Sequence, residues 1–139
     1  CRIVGARFIV AAPRGYEFSE SFLNRLRLKA GSGTVEVTHD VPDSVRNADI
    51  LYTDVWASMG QEDETERRRI AFAAFQLNAQ VLRGAPAHAK VMHCLPAHRG
   101  EEITSDVIDG PQCVVIAQAA NRLHAQKALL GWLMVTSSQ

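Results

Sequence analysis

Short apolar runs that alternate with helical patterns constrain this chain more than any other feature of its sequence. Runs of five or six residues with the apolar or β-branched character of strands occur at 7–12, 34–38, 49–53, 90–94 and 112–117. Helical patterns lie between and after them, at 19–30, 40–47, 62–74, 78–83, 104–108 and 118–135. This alternation predicts an α/β domain, a parallel sheet with helices on both faces.

Charge and cysteine content argue against several classes of protein. The 139 residues carry 15 basic and 15 acidic side chains, so no charge excess favours nucleic acid or a membrane as a partner. No apolar run is long enough for a membrane span, and no secretory signal is recognisable. Three cysteines without paired spacing predict free thiols, and we expect a reducing, cytoplasmic location. Because residue 1 is Cys1 rather than Met, we expect a chain processed or excised from a longer protein.

Polar side chains follow the predicted strands. Three strands end at Thr53, Cys94 and Ala117, and in a parallel sheet these ends share one edge, where α/β domains bind ligands. Asp54 is either an ordinary cap or turn residue or a carboxylate that holds a ligand cation. Ser58-Met-Gly60 is either a flexible turn or a loop whose backbone and hydroxyl bind a small polar ligand.

Cys94 lies in the densest cluster of reactive side chains. A buried, inert cysteine is the commonest role for this residue type. A nucleophile would need a base, but His93 is adjacent in sequence and points to the opposite face of a strand. Cys94 and His98 could be half of a zinc site, although no other ligands show the spacing, and we expect no metal. A thiol that contacts substrate without forming a covalent bond remains open.

Arg122 lies one turn into the last predicted helix. A solvated surface arginine is the simplest interpretation. A cation near a helix start opposes the helix dipole, however, so a ligand with an anionic or carbonyl group is the alternative. The sequence contains no glycine-rich nucleotide motif, phosphate loop or Ser-His-Asp order.

Three segments together resemble the ornithine carbamoyltransferases. Asp54-Val-Trp-Ala-Ser-Met-Gly-Gln-Glu62 is similar to the family's ornithine loop. His93-Cys-Leu-Pro-Ala-His-Arg-Gly-Glu-Glu102 is similar to its signature, and Gln118-Ala-Ala-Asn-Arg-Leu-His-Ala-Gln-Lys-Ala128 to its final helix. The resemblance implies a Rossmann-like, three-layer α/β/α domain. It would be the ornithine-binding domain over residues 1–135, lacking the family's first strand and followed by a polar tail at 136–139.

The resemblance also implies a reaction and the residues that perform it. The neutral δ-amine of L-ornithine would attack carbamoyl phosphate, giving L-citrulline and phosphate, as in arginine biosynthesis, without a metal or organic cofactor. Asp54 would lie near the reacting amine, Cys94 where the two substrates meet, and Arg122 would polarise the carbamoyl carbonyl. These three would be the catalytic residues. The substrate-binding residues implied are Asp54, Ser58, Met59, Cys94, Leu95 and Arg122.

Other motifs of the family do not occur in this sequence. Its first domain binds carbamoyl phosphate through Ser-x-Arg-Thr-Arg and His-Pro-x-Gln, and neither is found. We therefore expect little or no transfer by this chain alone. The missing strand is central in the family's sheet, so we expect exposed apolar sheet edges and a homo-oligomeric or strand-swapped state. The alternatives are a non-catalytic module that binds an amino acid or a protein partner, and a remnant without a ligand.

Overall fold

The structure is a computed structural model that describes residues 4–28, 31–57 and 62–136. Strands and helices alternate along these ranges, which confirms the predicted α/β class. The strands are β1 (Arg7–Ala11), β2 (Thr34–Thr38), β3 (Ile50–Thr53) and β4 (Lys90–His93). The α-helices are α1 (Glu20–Leu28), α2 (Val41–Val45), α3 (Glu62–Phe72), α4 (Ala79–Arg83), α5 (Ser105–Ile108) and α6 (Val115–Thr136). A 3₁₀ turn at Ala73–Phe75 continues α3, where the sequence had predicted α-helix to residue 74.

Polar side chains begin three of the helices. Ser19 Oγ accepts the Phe22 N–H before α1, at 3.3 Å. Asp40 Oδ1 accepts the Asp43 N–H at 2.9 Å before α2, and Asn78 accepts two free amides at the start of α4. Each bond satisfies an amide that has no partner within its helix, which fixes where the helix begins.

The strands pair as two separate two-stranded parallel sheets in the described part of the chain. β1 pairs with β2, with Phe8 opposite Val35. β3 pairs with β4, with Thr53 opposite His93. A cavity of about 440 Å³ lies between β1 and β3, lined by side chains of both strands. The edges of β1 and β3 that face this cavity have no strand partner among the described residues.

The prediction of a fifth strand at 112–117, followed by a helix from 118, is wrong. One bridge joins this segment to β4, where Val91 O accepts the Val114 N–H at 2.9 Å. α6 already begins at Val115, and the Gln118 N–H bonds Val114 O in the helical pattern. The β-branched run suggested a strand covered on both faces, but Val115 is 2% exposed and Ile116 78%. Since α6 already includes Val115 to Ala117, Ala117 does not end a strand.

The main core joins β3 and β4 to the helices beside them. Burial of each large apolar side chain contributes about 1.5–3 kcal/mol, so this cluster fixes the strand ends that carry Asp54 and Cys94. Its fully or nearly buried members are Val45, Leu51, Leu77, Val91, Ile103 and Val107. On the β1–β2 side, α1 buries Leu23, with Phe22 and Leu26 half-buried beside it.

α6 is the longest helix and the most exposed. Its 22 residues span about 33 Å, and from Ala119 onward every described side chain is exposed, Leu123, Leu130 and Trp132 included. Within the described ranges, no helix combines the length and the apolarity that crossing a membrane would require.

Candidate active site

The candidate site lies where β3 and β4 end side by side. Because Thr53 and His93 are opposite each other in parallel strands, the next residues, Asp54 and Cys94, leave the sheet as neighbours. The Cys94 Sγ–H donates to Asp54 Oδ1 across 2.9 Å. The same oxygen accepts the Val55 N–H at 2.7 Å, which holds the carboxylate against its own backbone. Both Asp54 and Cys94 are exposed, so a ligand can reach them.

Tyr52 and Gln118 extend this pair. Tyr52 and Asp54 lie two residues apart and so point to one face of the sheet, and the Tyr52 hydroxyl lies close enough to the Cys94 thiol to lower its pKa. Gln118 on α6 lies close enough to Tyr52 to lower the pKa of that hydroxyl. The Gln118 Oε1 accepts the His93 N–H at 3.0 Å, at the end of β4. The site therefore connects β3, β4 and α6 through side-chain hydrogen bonds.

The Cys94 thiol is held in its protonated form. Partial removal from water and the hydrogen bond to the Asp54 carboxylate raise the pKa of the Cys94 thiol, and the bond from Tyr52 only partly opposes them. Removal from water and the bond to Cys94 also raise the pKa of Tyr52. Both ordinary pKa values already lie above neutrality. Cys94 is therefore a hydrogen-bond donor to Asp54 at neutral pH, rather than a thiolate nucleophile.

His93 is engaged on both sides of its ring. Its side chain is fully buried, and Nε2 lies 3.0 Å from Glu102 Oε1. Nδ1 accepts the Leu95 N–H at 2.8 Å. A general base needs a free nitrogen within reach of the proton, so His93 is not a base for the Cys94 thiol.

Leu95 carries an unusual backbone conformation. Its φ is +58°, in the left-handed region, and a cis peptide bond joins it to Pro96. A left-handed non-glycine residue costs roughly 1–2 kcal/mol. The Leu95 side chain is 37% exposed. The bond from the Leu95 N–H to His93 helps to fix the backbone after Cys94.

The remaining predicted site residues are Ser58, Met59 and Arg122. Ser58 and Met59 lie outside the described residues. Arg122 is exposed on α6, one turn beyond Gln118 and on the same helical face. No hydrogen bond or ion pair joins Arg122 to another described residue. Its guanidinium is thus available to a ligand.

Side chains with metal-ligating atoms form two close groups among the described residues. In each group the ligand atoms lie within 4.8 Å of one another. Cys94 therefore groups with Asp54 and His93, rather than with His98, which the sequence had suggested as its partner. With both His93 nitrogens hydrogen-bonded, the first group offers only two free ligands, fewer than the four of a structural zinc site. The second group consists of His98, Glu101 and Glu102.

Sequence reasoning missed Tyr52, Gln118 and the role of Glu102. The period of two along a strand places Tyr52 on the face of Asp54, and a four-residue step along a helix places Gln118 on the face of Arg122. Both signals could have been used. Nothing in the sequence distinguishes Glu102 from Glu101, yet Glu102 is fully buried and Glu101 is half-buried.

A carboxylate and a thiol at adjacent ends of parallel strands, with an exposed arginine on the neighbouring helix α6, are typical of a ligand-binding α/β domain. Residues 1–133 match the family model described as the aspartate/ornithine carbamoyltransferase Asp/Orn binding domain, and the chain belongs to that family. The ornithine carbamoyltransferase of Chlorobaculum tepidum is 50% identical over 95% of this chain and 39% of its own length.

Solved structures agree with this assignment. The chain resembles the ornithine carbamoyltransferase from Pyrococcus furiosus with a TM-score of 0.79 and 51% identity, over 91% of this chain and 41% of that one. It resembles the anabolic ornithine carbamoyltransferase from Campylobacter jejuni with a TM-score of 0.88 and 29% identity, over 96% of this chain and 45% of that one. The chain thus spans about two fifths of the length of these relatives.

Proposed function

We propose that this chain is the ornithine-binding half of an ornithine carbamoyltransferase. The complete reaction would join L-ornithine and carbamoyl phosphate to give L-citrulline and phosphate. The observation that carries the proposal is the Cys94–Asp54 contact at two adjacent strand ends. The chain that contains it shares 50% sequence identity with an ornithine carbamoyltransferase. The carbamoyl phosphate site would come from a further domain, so the isolated chain would bind ornithine without transferring the carbamoyl group.

Asp54 would bind the side-chain amine of ornithine. A free amine has a pKa of about 10, so it arrives as the unreactive cation, and an exposed carboxylate attracts it. The thiol of Cys94 keeps one carboxylate oxygen oriented, and Asp54 would then accept the proton that the amine must lose before it attacks. Positioning and charge stabilisation would do most of the catalytic work.

The remaining roles are those that the family resemblance implies. Ser58 and Met59 would contact ornithine, and Leu95 would line the meeting point of the two substrates beside Cys94. Arg122 would polarise the carbamoyl carbonyl, a role supported by its exposed guanidinium, which has no partner among the described residues. A cytoplasmic location is supported by the free thiols of Cys94 and Cys113.

Calorimetric titration of L-ornithine into the purified chain tests the proposal. Separate titrations of L-lysine and L-aspartate are the controls for selectivity. We expect saturable, ornithine-selective heat, accompanied by a change in the fluorescence of Trp56, which lies just beyond Asp54. In Asp54→Ala the affinity falls at least tenfold, because a hydrogen bond to a charged group contributes about 1.5–3 kcal/mol.

Asp49→Ala is the matched control for this titration. Asp49 is an exposed carboxylate just before β3, paired with His88 at 2.8 Å, and it lies at the opposite end of the strand from Asp54. This variant retains the affinity of the parent chain. A folded chain that does not bind ornithine would overturn the proposal and favour a non-catalytic module on the same fold.

We also propose that two copies of the chain associate through the open edges of β1 and β3. Both edges present unpaired backbone groups beside apolar side chains, the arrangement that favours pairing with another chain. Phe8 and Ile50 are exposed at these edges. Light scattering would give the mass of a dimer or larger assembly, and a monomer mass at all concentrations would contradict this part of the proposal.

A further inference from the structure

A chain of buried hydrogen bonds lies directly behind Cys94 and Leu95. The side chains of His93 and Glu102 are both fully buried, with His93 Nε2 and Glu102 Oε1 3.0 Å apart. The same Glu102 oxygen accepts the His98 N–H at 2.6 Å. His93 Nδ1 accepts the Leu95 N–H at 2.8 Å. One carboxylate oxygen thus hydrogen-bonds the residues at both ends of the segment from His93 to His98.

The directions of these bonds assign the tautomer of His93. The Leu95 N–H can only donate, so Nδ1 must be the acceptor nitrogen of the ring. The ring proton then resides on Nε2 and is donated to Glu102, the pattern by which a carboxylate orients a histidine. The bonds therefore run in one direction, from the Leu95 amide through the imidazole to the carboxylate.

The segment that this chain of bonds holds lies at the protein surface. Cys94, Leu95 and Pro96 are all exposed, and Leu95 has a φ of +58°, which non-glycine residues rarely adopt. Such a conformation persists only when surrounding contacts impose it. The separation of Cys94 Sγ from Asp54 consequently depends on Glu102, although Glu102 itself does not reach the exposed site.

We infer that Glu102, acting through His93, is a positioning residue that presents Cys94 and Leu95 to the ligand bound at Asp54. The inference rests on the proposed ornithine site for its ligand, but the position of the Cys94 thiol can be measured without any ligand. A residue that only stabilises the core would change the folded fraction and leave the geometry of the folded site intact.

Three variants separate positioning from stability. Glu102→Ala removes both hydrogen bonds at once. Glu102→Gln keeps a carbonyl oxygen that can accept from His93 and His98, so it should rescue positioning. Val107→Ala is the control for lost stability. Val107 is 1% exposed and belongs to the neighbouring core cluster, so this variant weakens the core without removing a hydrogen bond to the segment after His93. All are compared at denaturant-free conditions where circular dichroism shows equal folded fractions.

Two readouts test the variants. The alkylation rate of Cys94 by iodoacetamide rises at least threefold in Glu102→Ala, because the thiol is no longer held against Asp54. Ornithine affinity falls about tenfold in the same variant. Glu102→Gln and Val107→Ala stay within twofold of the parent chain in both. The inference would be overturned if Glu102→Ala kept the alkylation rate and ornithine affinity of the parent chain. It would also be overturned if Val107→Ala changed both quantities as much as Glu102→Ala does. If the parent chain binds no ornithine, the proposed function fails, while the alkylation readout still decides whether Glu102 positions Cys94.

A spectroscopic measurement does not depend on any variant folding. Long-range ¹H–¹⁵N spectra of the histidine-labelled chain report which ring nitrogen carries the proton. The ring signals of His93 are assigned through the covalent bonds that link the ring to its backbone. We expect this ring to be protonated at Nε2 and unprotonated at Nδ1. A proton on Nδ1 would contradict the hydrogen bond from Leu95 and with it the inference.

Discussion

Replacing Asp54 with Asn removes a negative charge beside the Cys94 thiol and leaves the size of the side chain unchanged. The sulfur and Oδ1 are 2.9 Å apart, which places the centre of the carboxylate charge about 4 Å from the sulfur. At that separation two unit charges interact by about 1 kcal/mol in water, the appropriate limit because both groups are exposed. The Asp54 carboxylate raises the pKa of Cys94, so the variant lowers it.

The expected effect on reactivity is smaller than the effect on the thiolate population. An interaction of about 1 kcal/mol corresponds to roughly fivefold more thiolate at neutral pH. A thiolate also becomes less nucleophilic as its pKa falls, with a Brønsted coefficient of about 0.4–0.5. Alkylation of Cys94 by iodoacetamide should therefore be about two to three times faster in Asp54→Asn.

Peptide-level mass spectrometry of the alkylated chain measures this rate, because it separates Cys94 from Cys1 and Cys113. Asp49→Asn is the matched control, since it removes an exposed carboxylate at the other end of β3, and it should leave the rate unchanged. An unchanged or slower rate in Asp54→Asn would refute the account of Cys94 as a thiol held protonated by its neighbour.

Four further substitutions test other contacts. Tyr52→Phe removes the hydroxyl that lowers the pKa of Cys94, so alkylation slows in the same assay, and a faster rate would contradict that influence of Tyr52. Ile103→Ala empties a fully buried position and should lower the free energy of unfolding by about 2–5 kcal/mol in urea titrations. Ile116→Ala, at a position 78% exposed, should change it by less than about 0.5 kcal/mol, and equal losses in the two would contradict the assigned core. Phe8→Lys at the open edge of β1 should lower the associated fraction in light scattering, and an unchanged mass would show that association uses another surface.

Most of the fold could be predicted because its signals are local. Caps at Ser19, Asp40 and Asn78, and apolar runs between turn residues, fix where elements begin from a few neighbouring side chains. The segment 112–117 failed because β-branched residues favour a strand only if the sheet covers them. Whether cover exists is a tertiary property, and here Ile116 faces solvent at the start of α6.

The residues of the candidate site also differ in whether local signals in the sequence could predict them. Asp54 and Cys94 could be predicted to meet because residues that follow adjacent parallel strands share an edge. The buried tie through Glu102 could not, since it depends on a turn that brings residue 102 back beneath residue 93. Arg122 lies on the last helix, as the sequence predicted, but the sequence alone gives no measure of its distance from Cys94.

The open edges of the two two-stranded sheets and the candidate site are linked through β3. Tyr52 and Asp54 line the cavity between β1 and β3 as well as the site. The β3–β4 pairing that aligns Asp54 with Cys94 is complete without anything in that cavity. A parallel strand inserted there would, however, end beside Asp54 and bring its own following residues to the ligand. If copies of the chain associate at these edges, ornithine affinity should therefore rise with chain concentration over the range in which light scattering shows the mass increasing. An affinity that stays constant across that range would show that the open edges and the ornithine site are independent.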